Sequence, residues 1–196
     1  MQISSTMILS SIRVEKNLFC ACLLFKFADK RADRKKIGFY STLDANLATD
    51  LVGIIQPEPK TPYETENAEA AKFTYGASAL VGYQPLSWFS VAGGLRYSYV
   101  LPNFHFIYYK LQTNFYVGSK FEEDLTYIFA NFGEIINRTA VESAGFFGFG
   151  VGKIEPLGSR FGHHFQLGLD LQSAGEDAVV FVGFSYGIIL FSNKKF

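Results

Sequence analysis

Between Arg160 and Phe191 the chemical character of the chain alternates from one residue to the next. Phe161, His163, Phe165, Leu167, Leu169 and Leu171 hold one parity, and Gly162, His164, Gln166, Gly168, Asp170 and Gln172 hold the other. After Ser173-Ala174-Gly175-Glu176-Asp177 the pattern resumes, with Val180, Val182, Phe184, Tyr186, Ile188 and Leu190 on one side and Gly183, Ser185 and Gly187 on the other. Successive side chains of a strand point to opposite faces, so these residues spell a β-hairpin with one apolar surface. That surface must be covered by another layer or by lipid.

The same period runs back to Ile37. Ile37, Phe39, Leu43, Ala45 and Leu47 face one way, and Tyr40, Thr42, Asp44 and Asn46 the other. A second strand turns Phe73, Tyr75, Ala77, Ala79, Val81 and Tyr83 outward and Thr74, Gly76, Ser78 and Gly82 inward. A third sets Phe89, Val91, Leu95, Tyr97 and Tyr99 against Ser90, Ala92, Gly94, Arg96 and Ser98. A fourth sets Ile107, Tyr109, Leu111, Phe115 and Val117 against Tyr108, Lys110, Gln112, Asn114 and Tyr116. The fifth, Leu125 to Asn137, is ambiguous because Ile128 and Phe132 share a parity with Glu134. The sixth, Ala144 to Ile154, opposes Phe147, Phe149 and Val151 to a row of Gly148, Gly150 and Gly152.

With the hairpin this makes eight antiparallel strands of about 11 to 14 residues. Strands of that length tilted by about 40° span a hydrocarbon layer, and eight of them close into a barrel whose interior is just filled by side chains. Closure also removes the exposed edges that so apolar a sheet could not tolerate. The predicted fold is therefore an all-β, eight-stranded, antiparallel up-and-down transmembrane barrel over residues 36–196. Turns at 84–87, 121–124 and 155–159 fall at one end. A long acidic loop at 50–71, with Pro57, Pro59 and Pro62, falls at the other, with smaller loops near 101–104, 138–142 and 173–177.

Composition supports lipid on the outside. Charged residues are 18% and aromatic residues 17%, whereas soluble domains carry about a quarter charged residues. No apolar run reaches the roughly 18 residues of a membrane helix. Lys+Arg and Asp+Glu balance at 18 each, so nothing marks a nucleic-acid partner. Residues 1–35 differ from the rest. Arg13 and Lys16 precede the apolar run Leu18 to Phe25, and Lys26 to Lys36 is highly charged, which reads as an export signal or a disordered leader. Cys20 and Cys22 both lie in that leader, so no disulfide framework is expected.

Tyr83, Phe89 and Phe161 would ring the turn end, and Phe73, Tyr75, Tyr97, Tyr99 and Tyr109 the loop end, as aromatic girdles do. The chain also ends on Phe196, on the last strand. With these features residues 37–196 resemble the small eight-stranded outer-membrane barrels of the OmpA/OmpX type. The resemblance implies a bacterial outer-membrane location, with outer-membrane lipid as the surrounding partner.

The inward faces carry Asp44, Arg96, Lys110, Glu134 and Asp170. Counting across the turn near residue 122 places Lys110 opposite Glu134, which turns Glu134 inward on the fifth strand. Arg96 would then need Asp44 or Asp170 from across the lumen. Buried charges are tolerable when paired, so one reading is a charge network that plugs the lumen. The other is a charged constriction, porin-like, that selects small solutes.

A turn near residues 174 and 175 would place His164 opposite Ser185, both inward, and a Ser–His pair is the minimum for acyl transfer. A third member is missing, because Asp170 lies about 20 Å along the same strand. The ordinary reading is a hydrogen-bonded lumen histidine. His105 and His163 face outward, so the histidines do not converge on a metal. The glycine row lacks the helix and Lys-Ser/Thr of a phosphate loop, and makes room for Tyr108, Tyr116 or Phe132. The acidic loop lacks EF-hand spacing.

The expected function is that of a monomeric outer-membrane barrel without catalysis or cofactor, structural or in contact with a surface partner through loop 50–71. Three alternatives stay open. A soluble lipocalin-like carrier of a hydrophobic ligand would put the apolar parity inside. A lipid-modifying barrel enzyme would use His164 and Ser185, and a narrow pore would use the lumen charges.

Overall fold

The structure is a computed structural model of the 196-residue chain and describes residues 37–51, 73–100, 104–117, 124–137, 143–158, 160–174 and 177–192. The leader expected over 1–35, most of the acidic loop and the chain end at Phe196 lie outside the described residues.

The strands are β1 (Phe39–Asp50), β2 (Phe73–Leu86), β3 (Phe89–Val100), β4 (Phe104–Val117), β5 (Leu125–Glu134), β6 (Ala144–Pro156), β7 (Phe161–Ala174) and β8 (Asp177–Phe191). Each pairs antiparallel with the next, and β1 pairs antiparallel with β8, which closes the barrel. Asp44, for example, has Ser78 of β2 on one side and Gly187 of β8 on the other. Every strand in this arrangement has two neighbours, so its backbone polar groups are met within the sheet, as a hydrocarbon environment demands.

The period of two decides what faces where. Leu43 is 63% exposed, Val81 65% and Leu167 55%, and Phe149, Ile188 and Leu190 are exposed with them. The opposite parity buries Asp44, Arg96, Lys110, Gln112, Asn114 and His164. An apolar exterior around a polar interior is the inverse of a soluble protein and fits a barrel spanning a membrane. The lipocalin-like alternative, which needs the apolar parity inside, is overturned by these burials.

Aromatic rings gather at both rims. At the turn end Phe39 and Tyr83 lie 4.6 Å apart between centroids, and Phe89 and Phe115 5.2 Å. At the loop end Tyr75 and Tyr99 lie 4.9 Å apart, with His105 5.0 Å from Tyr99. Amphipathic rings at this height are suited to the headgroup layer.

Two positions depart from simple alternation. Ile37 was expected outward and is fully buried. Gly38 has φ 69°, a left-handed conformation that glycine adopts at no steric cost, and the reversal turns Ile37 inward against Tyr40, Ile189 and Phe191. Gln84 holds it there, accepting from the Ile37 backbone N at 2.5 Å and donating to the Ser87 carbonyl at 3.2 Å.

β5 is the second departure. Tyr127, Phe129 and Asn131 are buried, while Ile128, Phe132 and Glu134 are exposed. The expected parity is thus reversed, and the β4–β5 register is one residue from the expected one: Leu111 pairs with Phe132, which sets Lys110 against Gly133. The apolar pair Ile128 and Phe132 outweighs the single carboxylate, because a one-residue slip would carry both rings and aliphatics into the lumen. Beyond the strand Asn137 continues the pairing with its side chain, accepting from the Ile107 N at 2.7 Å and donating to the His105 carbonyl at 2.8 Å.

Candidate functional site

The lumen is filled in layers. Nearest the turn end, the Tyr40 hydroxyl lies 3.0 Å from Ser90 Oγ, and Ser90 Oγ 3.1 Å from the Tyr116 hydroxyl. Asn114 Nδ2 donates to both Tyr40 and Ser90 at 3.1 Å, and Gln112 Nε2 donates to Asn114 Oδ1 at 2.8 Å. Leu80, Ala92, Ile154, Ile189 and Phe191 pack around these groups. Two glycines make space for the rings. A Cβ on Gly82 would collide with the Tyr40 ring, and one on Gly152 with the Tyr127 ring, and each pair is in direct register across neighbouring strands.

The next layer is built on His164. Its Nδ1 lies 2.7 Å from Asp44 Oδ1, and its Nε2 meets the Tyr127 hydroxyl at short range. Gln166 Nε2 donates to the same hydroxyl at 3.1 Å. An amide nitrogen can only donate, so the Tyr127 oxygen accepts there and is free to donate its own proton to Nε2, leaving Nδ1–H to donate to Asp44. The result is a chain from β5 through β7 to β1. It passes over β8 at Gly187, where a Cβ would collide with Asp44 Oδ1 and the Leu43 carbonyl. Asp44 Oδ2 is buried without a hydrogen bond among the described residues.

Toward the loop end, Arg96 of β3 reaches across the lumen to β7, where its Nη1 lies 2.7 Å from Asp170 Oδ2. Of the two carboxylates open to it in the sequence, it takes Asp170. Arg96 Nε donates to Ser98 Oγ at 3.3 Å, and its guanidinium lies 4.6 Å from the centroid of the Phe146 ring. That stacking suits a weakly hydrated planar cation. Val100, Phe106, Tyr108, Ala144 and Phe146 close over this layer.

Lys110 is 3% exposed. Its expected partner Glu134 faces outward, on the opposite parity to the lumen, and hydrogen-bonds the outward Tyr109 instead. No ion pair of Lys110 occurs among the described residues. It lines a cavity of about 30 Å³ with Arg96, Asp170, Asn46, Asn131 and Ser185.

The Ser–His pair does not form. The β7–β8 hairpin pairs Ala174 with Asp177, which places His164 opposite Gly187 and Ser185 opposite Gln166. Ser185 Oγ donates to Asn46 Oδ1 at 2.7 Å. The glycine row also serves other side chains than expected: Gly152 clears Tyr127, Gly150 clears Phe129, and Gly148 clears Asp170 and Asn131. His105 and His163 face outward on the tyrosines Tyr97 and Tyr186. No group of three metal-ligating side chains occurs among the described residues.

Sequence reasoning missed Tyr127, the residue that completes the His164 chain. Its signal was present: once Ile128 and Phe132 are taken as the outward set, Tyr127 points inward beside the glycine at 152.

No protein-family model and no curated protein matches the chain in sequence. Solved structures do match. The N-terminal β-barrel domain of Pseudomonas aeruginosa OprF aligns with a TM-score of 0.43 and 16% identity, over 76% of this chain and 96% of that one. A de novo designed transmembrane β-barrel gives a TM-score of 0.42 and 11% identity, over 80% and 98%. Neisserial surface protein A gives a TM-score of 0.53 and 12% identity, over 79% of this chain and 97% of that one. The closed antiparallel barrel of residues 39–191 thus has the fold of Neisserial surface protein A, that of the small eight-stranded OmpA/OmpX-type barrels.

Proposed function

We propose that the chain is a monomeric integral protein of a bacterial outer membrane, structural or engaged in surface contact, without catalysis and with its lumen closed by its own side chains. The observation that carries this reading is the cross-lumen pair Arg96–Asp170 between β3 and β7, set between an aromatic layer at Phe106, Tyr108 and Phe146 and the tyrosine layer at Tyr40 and Tyr116. An ion pair spanning the bore, with rings packed above and below, leaves a solute no continuous path. The pairing of β1 with β8 favours a monomer, since strand addition needs an open edge. The segment assigned to surface contact is the acidic loop 50–71, and the stretch Arg13 to Phe25 supports an export leader.

The test joins three measurements on the full chain. Expressing cells are fractionated, the detergent-extracted protein is run boiled and unboiled, and the folded protein is added to planar bilayers. Outer-membrane recovery, a heat-dependent mobility shift and a silent bilayer are expected. Soluble protein without detergent would overturn the membrane reading, and stepwise conductance would overturn the closed lumen in favour of a narrow pore.

A further inference from the structure

We propose that the outward face of β6–β8 at the turn end holds the headgroup of an ethanolamine phospholipid, a zwitterion whose primary ammonium can donate hydrogen bonds. This site presupposes the membrane-spanning barrel proposed above and adds which lipid that barrel selects. Three rows of the sheet define the face. Glu155 of β6 is in register with His163 of β7, and His163 with Ile188 of β8; the next row is Lys153, Phe165 and Tyr186, and the third is Val151, Leu167 and Phe184. Charge gives way to rings and then to wholly apolar surface, the order of headgroup, interface and acyl chain in a lipid leaflet. Elsewhere at this end the outward rim is aromatic, as at Phe39, Tyr83, Phe89 and Phe115. Arg96 and Lys110 face the lumen, so among the described strand residues Lys153 is the one lysine or arginine of the outward parity. An outward lysine is costly in hydrocarbon and belongs at the level of the phosphates.

Hydrogen-bond capacity selects the headgroup. Lys153 Nζ lies 2.8 Å from Asp124 Oδ2 and 2.7 Å from Glu155 Oε1, and all three side chains are between 40% and 43% exposed, open to a lipid. An ammonium has three N–H donors, so one is left for a phosphate oxygen. Each carboxylate keeps a second oxygen, Asp124 Oδ1 and Glu155 Oε2, that can accept from the ammonium of the lipid. His163 meets the Tyr186 hydroxyl through Nδ1 and stacks on that ring with centroids 5.4 Å apart. With Tyr186 donating to Nδ1, Nε2–H is a further donor to the phosphate. Phosphatidylcholine carries the same charges without an N–H on its cation, and phosphatidylglycerol carries the phosphate without a cation, so neither matches both halves. The exposed row Val151, Leu167 and Phe184 continues the face along an acyl chain, which favours the lipid over free phosphoethanolamine.

The test uses the full chain folded in detergent, with the heat-dependent mobility shift as the check on folding. Equimolar mixtures of dioleoyl phosphatidylethanolamine, its N-methyl, N,N-dimethyl and choline homologues, and phosphatidylglycerol are offered, and retained lipid is read by native mass spectrometry. Retention should fall stepwise as methyl groups replace N–H donors, with choline about five-fold below ethanolamine, the net worth of one hydrogen bond. Lys153→Gln combined with Glu155→Gln changes only exposed groups, so it should fold and lose the discrimination, whereas Tyr83→Leu, on the rim at β2, should keep it. Equal retention across the methylated series, or of phosphatidylglycerol and phosphatidylethanolamine, would overturn the site while an intact heat shift leaves the barrel standing. So would a discrimination that survives the double variant or is lost in Tyr83→Leu. A parent chain with no heat shift and no retained lipid would overturn the membrane-spanning barrel and the site with it.

Discussion

His164 and Asp44 meet at 2.7 Å across a strand that belongs to neither of them. His164 stands on β7 and Asp44 on β1, and the contact passes over Gly187 of β8, so it ties together the first and seventh strands at the closing seam. Of the two partners, only Asp44 was expected in a charge network, where it and Asp170 were the two carboxylates open to Arg96.

Gly187→Ala tests that seam. The added methyl would meet Asp44 Oδ1, which can yield only by leaving His164, and the Leu43 backbone carbonyl, which cannot yield without moving the β1–β8 pairing. Overpacking of this kind costs about 1–3 kcal/mol. A lower urea midpoint for the folded protein in detergent is expected, whereas an unchanged midpoint would show that Asp44 leaves His164 without penalty.

The cross-lumen pair makes a second prediction. Arg96→Met leaves the half-buried Asp170 without its ion-pair partner, at a cost of up to about 3–5 kcal/mol, while Arg96→Met combined with Asp170→Leu should recover most of that loss. The comparison is a double-mutant cycle read by equilibrium unfolding. A double variant no more stable than Arg96→Met would mean that the two side chains contribute independently.

Glu134→Gln should be almost silent, within about 0.5 kcal/mol, because Glu134 is exposed and holds only an outward hydrogen bond. The expectation from sequence was the opposite, since a lumen partner of Lys110 could not lose its charge without a large penalty. Unfolding of this one variant separates the two registers of β4 and β5.

Tyr127→Phe removes the hydroxyl that serves both His164 and Gln166. Two buried nitrogens lose their partner, a loss of about 1–3 kcal/mol. The heat-shift midpoint should fall, and a variant that melts with the parent would show that these groups find other partners.

Leu167 faces outward near the middle of β7 and is 55% exposed. Leu167→Arg places a cation at the centre of the hydrocarbon layer, which costs about 2–4 kcal/mol in a transmembrane barrel. Refolding into lipid vesicles should be impaired far more than by Phe161→Arg at the rim. Equal effects at the two heights would contradict a membrane centred on the strand midpoints.

The alternation of residues by itself determined a great deal here. With a period of two, each strand has one apolar and one polar face, and from Phe39 to Phe191 this was enough to give eight strands, their antiparallel order and the apolar exterior, with Asp44, Arg96, Lys110 and Asp170 inside. Parity is a local property, set by backbone geometry at each step, and so it is legible without a partner strand wherever one parity is uniformly apolar; on β5, where Glu134 shares a parity with Ile128 and Phe132, it was read the wrong way round. Register is not local. Whether His164 faces Ser185 or Gly187, and Lys110 faces Glu134 or Gly133, depends on where each turn places its last pair, and the tertiary structure decided both. It also decided every contact across the lumen. Arg96 found Asp170 and His164 found Asp44 and Tyr127 because barrel closure brings strands distant in the chain within reach of one another, and no spacing in the sequence encodes that distance.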